Sequence, residues 1–208
     1  MLDDKLIPST EAAAARNSYA AKPVLSAIVV VPDTYETVRR TMSYLKTQTV
    51  VNQIEIIFVG PSYQQLRIDE SELSCFHSWH VVEVERVKSI SAGYVAGIND
   101  AHAPIVALTQ DHSFPDANWG ELLIAAHEKP WAAVGPSIRN GNPNTIISWA
   151  DFYLCYGEWA HPVSSGPVHC LPAHHSSYKR DILLASRSQL YVLMEDEYFL
   201  FRHLAAQG

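Results

Sequence analysis

The sequence predicts an α/β fold with a mostly parallel central sheet, and three observations carry that prediction. The 208-residue chain is 48% hydrophobic and 18% charged, which supplies a sizeable core for one or two domains and argues against disorder. Short β-branched apolar runs stop at Pro or Gly breakers. Between those runs lie segments of helical periodicity, and strand, helix, strand in close succession implies a crossover within a parallel sheet.

In chain order, residues 1–23 are polar, Ala-rich and close with Lys22-Pro23. They form an N-terminal extension in which 11–19 could make a short helix. Residues 24–208 form one domain. Leu25-Ser26-Ala27-Ile28-Val29-Val30-Val31 reads as a strand buried on both faces, ended by Pro32-Asp33. A helix over 37–46 follows, with Val38, Met42 and Leu45 at helical spacing. Residues 53–59 make a second buried strand before Gly60-Pro61. Strands over 79–84 and 105–109 flank a helix over 91–101. A helix over 118–128 has Trp119, Leu122, Leu123 and Ala126 on one face, and 132–135 suggests a short strand. Residues 136–172 are rich in Gly, Pro and aromatics and resist assignment. An amphipathic helix over 195–207 closes the chain, with Phe199, Leu200 and Leu204 as its apolar positions.

Fifteen basic against 22 acidic residues leave a net charge of −7, with no Lys/Arg-rich run, so no nucleic-acid partner is expected. No apolar run has the roughly 18–20 residues of a membrane span. Met1-Leu2-Asp3-Asp4-Lys5 lacks a signal-peptide pattern. Cys75, Cys155 and Cys170 are too few and too scattered for a disulfide scaffold. A cytoplasmic protein is expected. Open parallel sheets bind ligands at the C-terminal ends of their strands. Three strand ends therefore matter: Pro32-Asp33-Thr34-Tyr35, Gly60-Pro61-Ser62 and Gln110-Asp111-His112.

The order of these pieces resembles a family-2 glycosyltransferase of the GT-A fold, a three-layer architecture. The first strand runs into Pro32 and Tyr35, and Val38-Arg39-Arg40-Thr41-Met42-Ser43-Tyr44-Leu45 resembles the helix after it. Ala92-Gly93-Tyr94-Val95-Ala96-Gly97-Ile98-Asn99-Asp100-Ala101 looks like the family's Gly- and Asn-containing segment. Gln110-Asp111-His112 stands where the Asp-x-Asp motif is expected. Ser176-Ser177-Tyr178-Lys179-Arg180-Asp181-Ile182-Leu183 resembles the basic stretch, and Met194-Glu195-Asp196-Glu197 the Glu-Asp helix. The resemblance covers about residues 24–208.

What the resemblance implies is transfer of a sugar from a nucleotide-diphosphate donor to a saccharide or other hydroxyl acceptor, with inversion by direct displacement. A departing diphosphate needs charge neutralisation, which a divalent cation supplies, and the acceptor hydroxyl needs a base. Asp111 and His112 are then the metal residues and Asp196 the base, with Glu195 its neighbour. Pro32, Thr34, Tyr35, Ser62, Asn99, Asp111, Lys179 and Arg180 are the donor-binding set. Imidazole at His112 favours Mn²⁺ over Mg²⁺. Val59-Gly60-Pro61-Ser62 replaces the usual acidic loop, and Gln110 leaves one carboxylate fewer at the motif. These departures give a second reading, a non-catalytic GT-A-like binding or scaffold protein.

Other residue groups have two readings each. Glu195, Asp196 and Glu197 also suit the first turn of a helix, where acidic side chains oppose the dipole. His161, His169, Cys170, His174 and His175 have zinc-ligand chemistry in a spacing that matches no usual zinc motif, and would make the chain an unrelated metalloprotein. His174 or His175 could instead contact diphosphate or acceptor. Trp149, Phe152, Tyr153, Tyr156 and Trp159 form a helical stripe suited to packing or to a sugar platform.

Overall fold

A computed structural model describes residues 14–16, 21–85, 87, 89–168 and 170–207. Four parallel strands form the centre of the sheet: β2 (Leu25–Val30), β3 (Ile54–Gly60), β4 (Ser78–Glu83) and β5 (Ile105–Thr109). Three short antiparallel strands extend it: β1 (Ala14–Arg16) beside β4, and β7 (Ser177–Lys179) with β6 (Ala133–Val134) beside β5. The order is β1-β4-β3-β2-β5-β7-β6. Every residue of β2, β3 and β5 is buried, as their unbroken apolar runs require.

Side-chain alternation divides the core in two. Leu25, Ala27 and Val29 of β2 face one side, where α1 (Tyr35–Leu45) packs Tyr35, Val38, Met42 and Leu45, and α4 (Trp119–His127) adds Leu123. Ile28 and Val30 face the other side, against Tyr94 and Ile98 of α3 (Ile90–Asp100). That side also holds α6 (Arg180–Ala185), α7 (Leu190–Glu195) and α8 (Glu197–Ala205), through Leu183, Met194 and Leu200. The result is helix, sheet, helix. A one-turn helix α2 (Tyr63–Leu66) follows β3, and α5 (Ile146–Tyr156) lies in the segment that composition left unassigned.

Two expectations are corrected. Within 11–19, residues Ala14–Arg16 are a strand paired with Ser78–His80, and the rest of that range lies outside the described residues. Backbone pairing on the edge of β4 outweighs the helix preference of alanine. The helix expected over 195–207 starts at Glu197, because Glu195 ends the helix before it and Asp196 is extended at φ −130° and ψ 114°. Its Oδ1 accepts a 2.8 Å hydrogen bond from Tyr198 N, so Asp196 starts α8 as an N-cap.

Candidate active site

At the C-terminal edge of the sheet, the ends of β2 and β5 and the start of α3 enclose a cleft of about 260 Å³. Val30, Pro32, Val87 and Ile90 give it apolar walls, and Ser89 and Asp111 are its polar groups. It lies at the strand ends where open parallel sheets commonly hold ligands.

Asp111 stands on a turn fastened from below. The buried Thr41 hydroxyl, on α1, lies 3.2 Å from the carbonyl of Gln110 and 2.8 Å from that of Asp111. Ser113 closes the turn: its N donates to Gln110 O at 3.1 Å, and its Oγ accepts from Gln110 N at 3.1 Å. The half-exposed Asp111 carboxylate lies 2.7 Å from His112 Nδ1. The imidazole and the carboxylate face each other through these two atoms, so a cation held by both would take the place of the proton between Nδ1 and Oδ1. One carboxylate and one imidazole fit Mn²⁺ better than Mg²⁺.

Behind them lies the turn carrying His174 and His175. Gln110 Nε2 lies 3.2 Å from His174 Nδ1 and can donate to it. His175 spans Ser113 Oγ at 3.0 Å and Tyr156 Oη at 3.3 Å, with its ring 6.2 Å from that of His112. Burial first, then the neighbouring His112 and His174, push the His175 pKa down to about 4. At neutral pH His175 is therefore an uncharged brace.

On the opposite rim, Ser89 caps α3 by accepting from Ala92 N at 3.1 Å and donates its own proton to Glu195 Oε1 at 2.7 Å. Ser91 Oγ donates to Met194 O at 2.9 Å. These bonds clasp the end of α7 to the start of α3 and set Glu195 against Ser89, which lines the cleft. Asp196 follows it, with one carboxylate oxygen engaged in the helix cap.

The structure thus gathers Pro32, Asp111, His112 and Glu195 around one edge. Other expected residues have local partners. Thr34 begins α1, where its N donates to Asp33 Oδ1 at 2.7 Å; that carboxylate, hydrogen-bonded chiefly by Thr37, is held below its usual pKa. Tyr35 is buried and donates to Glu72 Oε2 at 3.0 Å, and desolvation raises its pKa. Ser62 Oγ caps α2, accepting from Gln65 N at 3.2 Å. Asn99, Lys179 and Arg180 are not brought to the cleft. The antiparallel course of β7 sets Lys179 opposite Ile105, at the other edge. There Lys179 Nζ donates to Lys129 O, Asn99 Nδ2 to Val95 O, and Arg180 to the carbonyls of Ile98 and Asn99, each of these last two at 3.0 Å. Arg180 thereby caps the end of α3, as a cation at a helix C-terminus should.

Sequence reasoning passed over Ser89, Thr41 and Ser113. Ser89 had a readable signal, a serine directly before a helical run. Thr41 had none, since its partners are some 70 residues away. In the histidine-rich segment, His161 Nδ1 lies 3.3 Å from Ser137 Oγ, and His169 lies outside the described residues. Among the described residues, those histidines and Cys170 do not gather as a metal cluster. Of the aromatic stripe, Phe152 is buried, while Trp149 and Tyr153 stack at 5.6 Å and stay partly exposed.

No protein-family model and no curated protein sequence matches the chain. Solved structures do. S. aureus TarS 1–349 matches at 15% identity and a TM-score of 0.60, over 86% of this chain and 53% of that one. The same piece in complex with UDP matches at 13% and 0.57, over the same shares. The mannosyltransferase PcManGT from Pyrobaculum calidifontis, in complex with GDP-Man and Mn²⁺, matches at 14% and 0.51, over 80% and 47%. The fold is that of a GT-A glycosyltransferase. The chain spans about half the length of these GT-A structures. Among the described residues, no helix is long and apolar enough to cross a membrane.

Proposed function

We propose that the chain is a family-2-type glycosyltransferase that moves a sugar from a nucleotide-diphosphate donor to an acceptor hydroxyl, with inversion, in the cytoplasm. The observation that carries this reading is that Pro32, Asp111 and Ser89 line one cleft of a GT-A fold, with Glu195 bonded to Ser89. In this reading Asp111 and His112 hold Mn²⁺, which neutralises the departing diphosphate. The apolar walls keep water from the anomeric carbon. Asp196 takes the acceptor proton through its carboxylate, and Glu195, fixed by Ser89, orients the acceptor. Asn99, Lys179 and Arg180 are left out, because their polar groups serve the opposite edge.

A second reading, a binding protein that has lost catalysis, is favoured by one observation. Gln110, where a carboxylate is usual, directs its amide to His174. A thermal-shift panel of UDP, GDP, CDP and dTDP, each with and without Mn²⁺, tests both readings. A ligand that binds only the folded state adds about 2.7 kcal/mol at a hundredfold excess over Kd. A Mn²⁺-dependent shift with one nucleotide, followed by release of that nucleotide from its sugar donor, supports the transferase. A shift without turnover supports the binding protein. No shift with any of the four overturns both.

A further inference from the structure

The edge of the sheet opposite the cleft carries a second group of ligating side chains. Glu55, near the start of β3, is 1% exposed, yet its carboxylate meets two histidines. His102 Nδ1, from the loop between α3 and β5, lies 2.5 Å from Oε1, and His80 Nδ1, from β4, lies 3.6 Å from the same oxygen. Strand register makes this unavoidable. Glu55 pairs with Ser78 and Ile57 with His80, so Glu55 and His80 are diagonal neighbours on one face. The other oxygen, Oε2, accepts from Ser26 Oγ at 2.5 Å and from His102 N at 3.0 Å. Beyond the His80 ring, Nε2 lies 2.7 Å from Asp100 Oδ2, a close approach in which the N–H is not aligned on the oxygen.

His80 Nε2 is turned to Asp100 Oδ2, so Nδ1 is the ring atom that faces Glu55 Oε1. At 3.6 Å the two are too far apart for a hydrogen bond, a gap that a cation bonded to both would close. The three ligand atoms of Glu55, His80 and His102 lie within 4.8 Å of one another.

We propose that Glu55, His80 and His102 form a binding site for a divalent transition metal, zinc by preference, with Asp100 orienting His80 from behind. Two imidazoles and one carboxylate are zinc-type ligands and poor ones for Mg²⁺. A carboxylate behind a ligating histidine fixes its tautomer and ring orientation. Metal–ligand bonds of about 2.0–2.1 Å in a tetrahedron set ligand atoms about 3.3 Å apart. The His80–Glu55 spacing of 3.6 Å is already close to that. His102 must draw back by less than an ångström, and its side chain is 52% exposed, on a loop. That exposure supplies the entry path, and water completes the fourth position. The metal would tie the starts of β3 and β4 to the loop entering β5, remote from Asp111.

The test uses the full chain, stripped with EDTA and titrated with Zn²⁺ against a chromogenic chelator, with thermal shift in parallel. One equivalent of Zn²⁺ is expected, with a Tm rise that saturates at that equivalent and that Mg²⁺ does not reproduce. His102→Gln, at a half-exposed position, should weaken Zn²⁺ binding tenfold or more; His161→Gln, at an exposed position outside both sites, should leave it unchanged. His80→Gln should behave as His102→Gln does. The proposal is overturned by no stoichiometric Zn²⁺ binding in the parent, by parental affinity in His102→Gln, or by loss of binding in His161→Gln alone.

Discussion

Gly97 of α3 lies so close to Ile28 of β2 that a Cβ on it would fall 2.5 Å from Ile28 Cγ2. Gly93, one turn earlier, meets Val30 in the same way at 2.8 Å. Two glycines at helical spacing let α3 lie flat on the sheet, and this sets how near Ser89 and Ile90 come to the end of β2. The cleft wall is thus fixed by the lack of two side chains.

Gly97→Ala should therefore destabilise the protein. A methyl group against the stiff, β-branched Ile28 costs about 1–3 kcal/mol in overpacking, against roughly 1 kcal/mol regained in helix propensity. Gly157→Ala is the control, because its Cβ would meet only Tyr153 Cδ1 at 3.9 Å. Urea denaturation checks the pair: a lower midpoint is expected for Gly97→Ala and an unchanged or higher one for Gly157→Ala.

Acid should weaken the fold well above the carboxylate range. Burial pushes both His127 and His175 down from 6.5 to about 4. Between those values the unfolded chain binds protons that the folded chain refuses, so stability is full above pH 6.5 and declines as pH falls toward 4. For buried His127 the loss is on the order of 3 kcal/mol. Tm measured from pH 7.5 to 4.5 should drop steadily, and His127→Gln should flatten the curve. A flat parental curve would remove this role from both histidines.

Asp196 has two duties that different substitutions separate. Asparagine keeps a capping oxygen for Tyr198 N but cannot take a proton. Asp196→Asn should leave Tm and nucleotide binding near parental values and lower transfer about 10²–10⁴-fold. Asp196→Ala should in addition lose about 1 kcal/mol of stability. Parental turnover in Asp196→Asn would leave the residue as a cap alone.

His112→Ala should weaken Mn²⁺-dependent nucleotide binding about tenfold and leave metal-free binding alone. Calorimetry with the nucleotide that shifts Tm, at fixed and zero Mn²⁺, reads both. Equal Mn²⁺ dependence in variant and parent would show that His112 is not a ligand.

Much of this arrangement was legible in the sequence because the parallel core is written in local signals. The runs at 25–31, 53–59 and 105–109 are apolar without interruption, and each stops at a breaker or a polar turn, so strands and cleft edge could be placed together. Asp111 and Pro32 line the cleft because they stand at those stops. Lys179 and Arg180 reach the other edge because β7 enters antiparallel, and strand direction leaves no local mark, whereas Asn99 lies there because it ends α3, the helix that returns the chain to the start of β5. The sequence sets the start of the last helix at Glu195, since acidic residues suit a first turn, whereas a single side-chain bond makes Asp196 the cap and Glu197 the first helical residue. Thr41 and Ser89 act through partners 70 and 106 residues away, respectively, which no window of sequence spans.

The clasp between Ser89 and Glu195 sets a schedule for biogenesis. Met194 and Glu195 leave the ribosome more than a hundred residues after the serines that receive them. At about 5–20 residues per second that interval is roughly 5–20 s. During it the central strands can already pair while one flank of α3 stays bare. A nascent chain would therefore display a chaperone-sensitive apolar face beside an unfinished cleft, and ligand capture would begin only with the last helices.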